Sequence, residues 1–244
     1  MYKHQIFADT HTHTLASTHA YSTLTENVRY AAQIGLKVLA VTDHGPKNKD
    51  APHEWYFRNL KTSVPEVLEG VRVLRGVEAN IMDYEGTLDL DDKMLKELEW
   101  VVVSYHHCNC TAGTLEQHTN AYLNLAKNPW VDVIGHSGSP DYIYDYETCI
   151  KAFREFGKLV EINQHSFHVR KANIKNCAEI AKLCKKHQVP VVVNSDAHFY
   201  TQIGDFPDAL AMLEEISFPP ELVLNSNFDR FAEYLKMRKG IVLK

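Results

Sequence analysis

Fourteen of the 244 residues are histidine, and their placement says more than their number. His11 and His13 stand one residue apart at the end of a strand-like run, so both imidazoles leave the backbone on one side and can grip one ion. Asp196-Ala-His198 repeats that spacing near the other end of the chain. Between them, His44 follows Val41-Thr-Asp, Glu78 follows Arg75-Gly-Val, His106 follows Val103-Ser-Tyr and His136 follows Val133-Ile-Gly. Imidazole and carboxylate together form a borderline donor set that suits zinc, and also iron or manganese. A lone strand-end histidine is ordinarily a hydrogen-bonded rim residue, and a single His-x-His arises easily. Eight such residues (His11, His13, His44, Glu78, His106, His136, Asp196 and His198) together point to a metal cluster.

A cluster of this kind needs a scaffold that brings separate strand ends to one place. Apolar, β-branched runs at 5–9, 37–42, 71–77, 100–104, 131–135, 159–162 and 190–194 alternate with amphipathic helical patterns at 25–34, 54–62, 91–98, 115–127, 147–156, 172–187 and 206–215. That alternation predicts an α/β fold of parallel strands with crossover helices, and 228–237 reads as a closing helix. In a closed barrel the C-terminal strand ends all converge on one face. Each of the seven runs ends in polar residues that would lie there, including Glu161-Ile-Asn163 after the sixth. Thr23 with Glu26 has the spacing of a capping box, and Gly35 follows as a helix stop. No Gly/Ser-rich linker, internal repeat or long charge run interrupts the pattern, so one domain over 1–244 is expected.

Composition narrows the function classes. Hydrophobic residues are 45% and charged ones 23%, enough to bury a full core. No stretch approaches the ~18 consecutive apolar residues of a membrane span. The opening Met-Tyr-Lys-His-Gln runs straight into a strand pattern, so no signal peptide is expected and a cytoplasmic location is. A net charge of -5 argues against a long nucleic acid as partner. An anionic ligand would have to meet its positive charge at bound metal. Cysteines 108, 110, 149, 177 and 184 are odd in number and scattered, as reduced thiols are. Cys108-Asn-Cys110 lacks the second pair of a structural zinc site.

The motifs resemble those of the PHP (polymerase and histidinol phosphatase) family, in particular its short stand-alone YcdX-type members, over nearly the whole chain. The resemblance is carried by Asp9-Thr-His-Thr-His13, Ala16-Ser-Thr-His-Ala-Tyr-Ser22, Val41-Thr-Asp-His-Gly-Pro46, Asp50-Ala-Pro-His53, Leu74-Arg-Gly-Val-Glu-Ala-Asn80 and Asn194-Ser-Asp-Ala-His198. It implies a distorted seven-stranded (β/α)7, TIM-like barrel holding a dinuclear or trinuclear centre, typically three divalent ions such as zinc. One ion would take His11, His13, Glu78 and Asp196; a second would share Glu78 and add His106 and His136. The third would take His19, His44 and His198, with His19 supplied by the resemblance alone. The implied activity is hydrolysis of small phosphomonoesters by a metal-bridging hydroxide, with Glu78, Asp196 and His198 in the catalytic centre. Phosphodiester or 3′-end cleavage of small nucleotides, and metal binding without turnover, are the alternatives. An amidohydrolase would want a bridging lysine at a middle strand end, and none is present. Related short members also bring a small symmetric homo-oligomer into consideration.

Arg170, in His165-Ser-Phe-His-Val-Arg-Lys171, is the candidate phosphate clamp, because a guanidinium meets two phosphate oxygens at once. His165 and His168 are weaker candidates. Asp43 suits either a turn or the orientation of a ligand histidine, and Trp55, Tyr56 and Phe57 suit either the substrate mouth or a helix's core face. The sequence departs from the family pattern at His107-Cys-Asn-Cys110 and at Ser137-Gly-Ser-Pro140, which places changes in the pocket wall rather than among the ligands.

Overall fold

The structure, a computed structural model, describes residues 6–243. Seven parallel strands pair in the order β1 (Ala8–Asp9), β2 (Val38–Val41), β4 (Val71–Asn80), β5 (Trp100–Ser104), β6 (Val133–Ile134), β7 (Leu159–Asn163) and β8 (Val191–Asn194). Helices α1 (Leu24–Gln33), α2 (Glu54–Ser63), α4 (Leu115–Lys127), α5 (Tyr146–Glu155) and α7 (Ile174–His187) fall between them, in the places where the helical patterns predict them. The short α3 (Asp92–Glu97) leads into β5, and α8 (Pro207–Glu215) and α9 (Phe228–Lys239) follow β8. Local chemistry starts and stops these helices. Thr23 and Glu26 form the capping box of α1, and Gly35, at φ 86°, ends it with its N–H donated to Ala32 O. Thr114 and Gln117 cap α4 in the same way.

The remaining elements have no periodic sequence signal. β3 (Val67–Leu68) pairs antiparallel with the start of β4 across Glu69-Gly70, both at positive φ as a tight two-residue hairpin requires. α6 (His165–Val169) is a single turn, followed by a 3-10 turn at Lys171–Asn173 and then α7. The one pattern at 172–187 is thus two pieces. Strands expected at 5–9 and 131–135 pair only over Ala8–Asp9 and Val133–Ile134, and Gln5 lies outside the described residues. β4 runs three residues past its expected end, because Ala79 and Asn80 continue the ladder opposite Val103 and Ser104.

Alternation along the strands builds a barrel with two different ends. Ala8, Val38, Leu74, Trp100, Val133, Leu159 and Val192, one or more from every parallel strand, form one apolar cluster with Phe231 and Leu235 of α9, which therefore plugs the floor. Further along the same alternation come Glu78 and Asn80 on β4, Ser104 on β5, Glu161 and Asn163 on β7, and Asn194 on β8, all buried. The lumen thus changes from hydrocarbon to polar in two or three residues. Outward-facing Val77, Val101, Val103, Val160 and Val191 join the larger core beneath the helices.

Among the described residues no regular ladder joins β8 to β1, only a single parallel bridge between Thr12 and Ala197, and this is where the barrel is distorted. On the floor side Asn225 fills the gap: it accepts from Val193 N at 3.0 Å and donates to Ala8 O at 2.8 Å and Val193 O at 2.6 Å. On the polar side Asp196 N donates to His11 O at 3.0 Å and His13 N to Ala197 O at 2.9 Å. The seam is therefore stitched directly between the His11-x-His13 and Asp196-x-His198 segments.

Candidate metal centre

Glu78, with a fully buried side chain, stands at the middle of the polar end. Its Oε1 lies 2.9 Å from His136 Nε2, 3.4 Å from His106 Nε2 and 3.5 Å from His11 Nε2. Its Oε2 lies 2.7 Å from His44 Nδ1 and 3.7 Å from His13 Nε2. Asp196, at positive φ, brings Oδ1 to 3.1 Å from His13 Nε2 and 3.7 Å from His11 Nε2. To one side, His19 Nε2 approaches His198 Nε2 at 2.8 Å and His44 Nε2 at 3.4 Å. All nine residues named as candidate ligands are thus brought together, His19 included. Three overlapping donor groups meet the spacing of an ion site: His11, His13 and Glu78; His44, Glu78 and His106; and His13, His44 and His198.

The far nitrogens explain why these atoms face inward. His11 Nδ1 donates to Glu161 Oε1 at 2.7 Å, His106 Nδ1 to Asn80 Oδ1 at 2.7 Å and His198 Nδ1 to Asp196 O at 2.9 Å. His19 Nδ1 meets Asp50 Oδ2, and His13 Nδ1 lies 3.4 Å from Ser17 Oγ. In these five rings, with Nδ1 committed to an oxygen, Nε2 is left with its lone pair toward the centre, whereas His44 turns Nδ1 to Glu78 and Nε2 to His19. Ser17 donates its own proton to Asp43 at 2.8 Å, and Asp43 also accepts from Thr14 and Tyr56. Asp43 thus stands behind His13 through Ser17 and at the same time ties the Thr14–Ser17 turn.

Several of the converging atoms have no well-aligned hydrogen bond of their own. His11 Nε2, His106 Nε2, His44 Nδ1 and Glu78 Oε2 are buried without one, although His44 Nδ1 and Glu78 Oε2 lie 2.7 Å apart. Buried polar atoms are ordinarily paired, so a group of four facing one another calls for something that binds lone pairs. Divalent cations fit that donor set, and the electrostatics agree. Burial raises Glu78, but His106, His11 and His44 outweigh it and hold the carboxyl well below its usual range. Burial likewise raises Asp196, and His11, His13 and Arg170 outweigh it. Burial lowers His13, reinforced by His44 and His198, and lowers His106 to about 4. Ionised carboxylates and neutral imidazoles are the ligand forms. His11 and His44 go the other way: burial lowers both, but Glu161, Glu78 and Asp196 outweigh it at His11, and Glu78 and Asp196 outweigh it at His44, so the surroundings of both favour positive charge.

The cluster floors an open cavity of about 830 Å3. Arg170 lines it from the segment after α6 and bonds Asp196 Oδ2 at 3.2 Å; Lys49 stands on the wall as a second cation. His165 lines the cavity with its ring stacked 5.3 Å from that of His198. His168 turns away to Asp208 and Gln164. Both departures from the family pattern form cavity wall, through His107 and Cys108 on one side and Ser139 and Pro140 on the other. Cys108 Sγ is held by Asn48 and Asn109. Trp55, Tyr56 and Phe57 do not line the cavity: Phe57 is core, Tyr56 bonds Asp43 and Trp55 is exposed against His53. Glu161, whose role no sequence pattern reveals, underlies the centre.

A histidine–carboxylate cluster at the C-terminal mouth of a seven-stranded α/β barrel defines a class of metal-site proteins, and the comparisons agree on which. The PHP domain family matches residues 9–165. A protein named probable phosphatase from Acetivibrio thermocellus is 47% identical over 231 residues, covering 95% of each chain. Another so named, from Clostridium novyi, is 46% identical over 231 residues, covering 94% of each. The solved histidinol phosphate phosphatase of Lactococcus lactis, complexed with zinc, L-histidinol and phosphate, shares the fold with a TM-score of 0.58 at 13% identity, over 87% of this chain and 94% of that one. The chain belongs to the PHP domain family.

Proposed function

We propose that this protein is a metal-dependent phosphoric ester hydrolase acting on small phosphomonoesters. The carrying observation is the group of buried atoms without well-aligned hydrogen bonds at His11, His106, His44 and Glu78. Three divalent ions, zinc before manganese or iron, would be held by His11, His13, Glu78 and Asp196; by Glu78, His106 and His136; and by His19, His44 and His198. Bound there, such ions would supply Lewis acidity that brings the pKa of coordinated water from 15.7 toward about 7, giving a nucleophile at neutral pH. Residues 1–244 act as one domain in this reading, because the segment after β8 carries Asp196 and His198 and α9 supplies the barrel floor. The five free cysteines fit a reducing, cytoplasmic setting.

The chain's own groups account for binding. Glu78 and Asp196 place negative charge among the imidazoles and hold it ionised. Arg170 donates from its guanidinium to the phosphoryl oxygens over the cluster. His165, kept neutral because burial pushes it down to about 4, offers a ring nitrogen to the substrate beside His198. The test is hydrolysis of p-nitrophenyl phosphate by protein loaded with zinc, manganese or iron, with Asp196→Asn and the bis-ester run alongside. Monoester turnover that is lost in Asp196→Asn is expected. Absence of monoester turnover at confirmed metal occupancy overturns the proposal, and turnover of the bis-ester alone assigns diester chemistry instead.

A further inference from the structure

Glu161 is the third residue of β7, is buried, and is not among the proposed ligands. Its Oε1 receives His11 Nδ1 at 2.7 Å and Asn194 Nδ2 at 2.9 Å. Its Oε2 receives the backbone N–H of His136 at 2.8 Å and Asn163 Nδ2 at 3.1 Å. A carboxylate offers about four lone-pair sites, so four donors saturate it and none remains for an ion. Resting on the metal-centre reading above, we propose that Glu161 is the positioning residue that sets two ligands directly, His11 and His136, and a third, Asp196, through Asn163.

Each of the four bonds does a different part of this. The bond to His11 puts the imidazole proton on Nδ1 and turns Nε2 toward Glu78 and Asp196, at 3.5 and 3.7 Å. The bond to His136 N holds a non-glycine residue at φ 22°, a region that persists only where its surroundings impose it. Asn163 gives its amide to Asp196 Oδ2, also at 3.1 Å, and Asp196 too has positive φ, 56°. Asn194 accepts Thr10 N at 2.9 Å and Thr10 Oγ1 at 2.7 Å, fastening the segment that carries His11. One side chain thus ties together candidate ligands from the segments after β1, β6 and β8. Glutamine cannot replace it: whichever way its amide turns, one end presents N–H groups to two existing donors.

The experiment compares wild type with Glu161→Gln and Glu161→Asp as full chains. Zinc stoichiometry and affinity are read by competition with a chromophoric chelator, and folding by circular dichroism. Removing an outer partner of a metal ligand typically weakens binding about 10–100-fold, and that loss is expected for Glu161→Gln, with part recovered in Glu161→Asp. Long-range 1H–15N NMR is expected to find a proton on His11 Nδ1 in the zinc-free wild type as well as in the zinc-loaded one. The zinc-free form is the informative one, because in the loaded form zinc at Nε2 would by itself leave the proton on Nδ1. Folded Glu161→Gln with wild-type zinc affinity overturns the proposal, as does zinc-free wild type without a proton on His11 Nδ1. Should Glu161→Gln not fold, the zinc-free wild type decides. Wild type that takes up no zinc sinks the metal-centre reading and this inference with it, whereas zinc uptake equal in wild type and variant sinks only the inference.

Discussion

Replacing Asn225 tests whether one side chain closes the barrel. Among the described residues the β8–β1 seam has no ladder on its floor side, and Asn225, fully buried, makes three bonds there in place of one. Asn225→Ala leaves Val193 N–H, Val193 C=O and Ala8 C=O short of those partners. At a net value of about 1 kcal/mol per hydrogen bond the loss is about 3 kcal/mol, and more where a stranded group stays dry, up to ~3 kcal/mol for that group alone. For a chain of this size about 3 kcal/mol corresponds to a fall in Tm of roughly 6–12 °C. Asn225→Asp separates the closure from packing. It keeps the acceptor for Val193 N–H but turns both donated bonds into oxygen facing oxygen, so it is expected to cost at least as much as alanine. Urea unfolding of the three proteins, followed by far-UV circular dichroism, measures the differences. A loss under ~1 kcal/mol for alanine, or a milder effect for aspartate than for alanine, refutes this account of the seam.

Arg170→Ala is expected to lower kcat/KM for a phosphomonoester by about 10–100-fold at unchanged zinc content, since hydrogen bonds to charged groups contribute about 1.5–3 kcal/mol. Arg170→Lys should recover only part, for want of a second donor in the plane, and kcat/KM within twofold of wild type in Arg170→Ala removes the clamp role. Lys158 sits at the floor with its ammonium on Asn128 O and Val131 O, and burial, aided by Arg238 and Lys239 and opposed by Asp132, pushes it from 10.5 down to about 7. Between those values the unfolded chain binds a proton that the folded chain does not, so this group makes stability rise with pH from about 7 to 10.5 and stay flat below. Urea unfolding at pH 7, 8 and 9 should show wild type gaining stability relative to Lys158→Met, and parallel pH slopes would show that Lys158 keeps its proton.

Much of the fold is readable in the chain because each signal is local. The runs at 100–104 and 115–127 coincide with β5 and α4, since β-branched content marks one and a capping box with helical periodicity marks the other. What the sequence does not show depends on distant partners. β1 and β6 keep a regular ladder for two residues only, with single bonds beside them, Lys37 N to Phe7 O, Asp132 N to Val101 O and Gly135 N to Val103 O. Past their ends the chain bonds across the site, Asp196 N to His11 O and His136 N to Glu161. α6 is too short to have a period, and the β3 hairpin is announced only by Gly70.

The site divides along the same line. Ligands at strand ends are legible because strand alternation and barrel geometry are general: i and i+2 share a face, and C-terminal ends converge. His19 follows no strand and is found only through family resemblance, because the contact that orients it, Asp50, comes from another loop. Glu161-x-Asn163 has the same i, i+2 spacing as His11-x-His13, so its face is legible and its task is not. Spacing cannot show that four donors from four separate segments will use up every lone pair of one carboxylate. The identity of the candidate ligands is thus written in single strands, whereas their orientation is written between them, and on the role proposed for Glu161 a sequence match that retains all nine candidates can still lose the centre there.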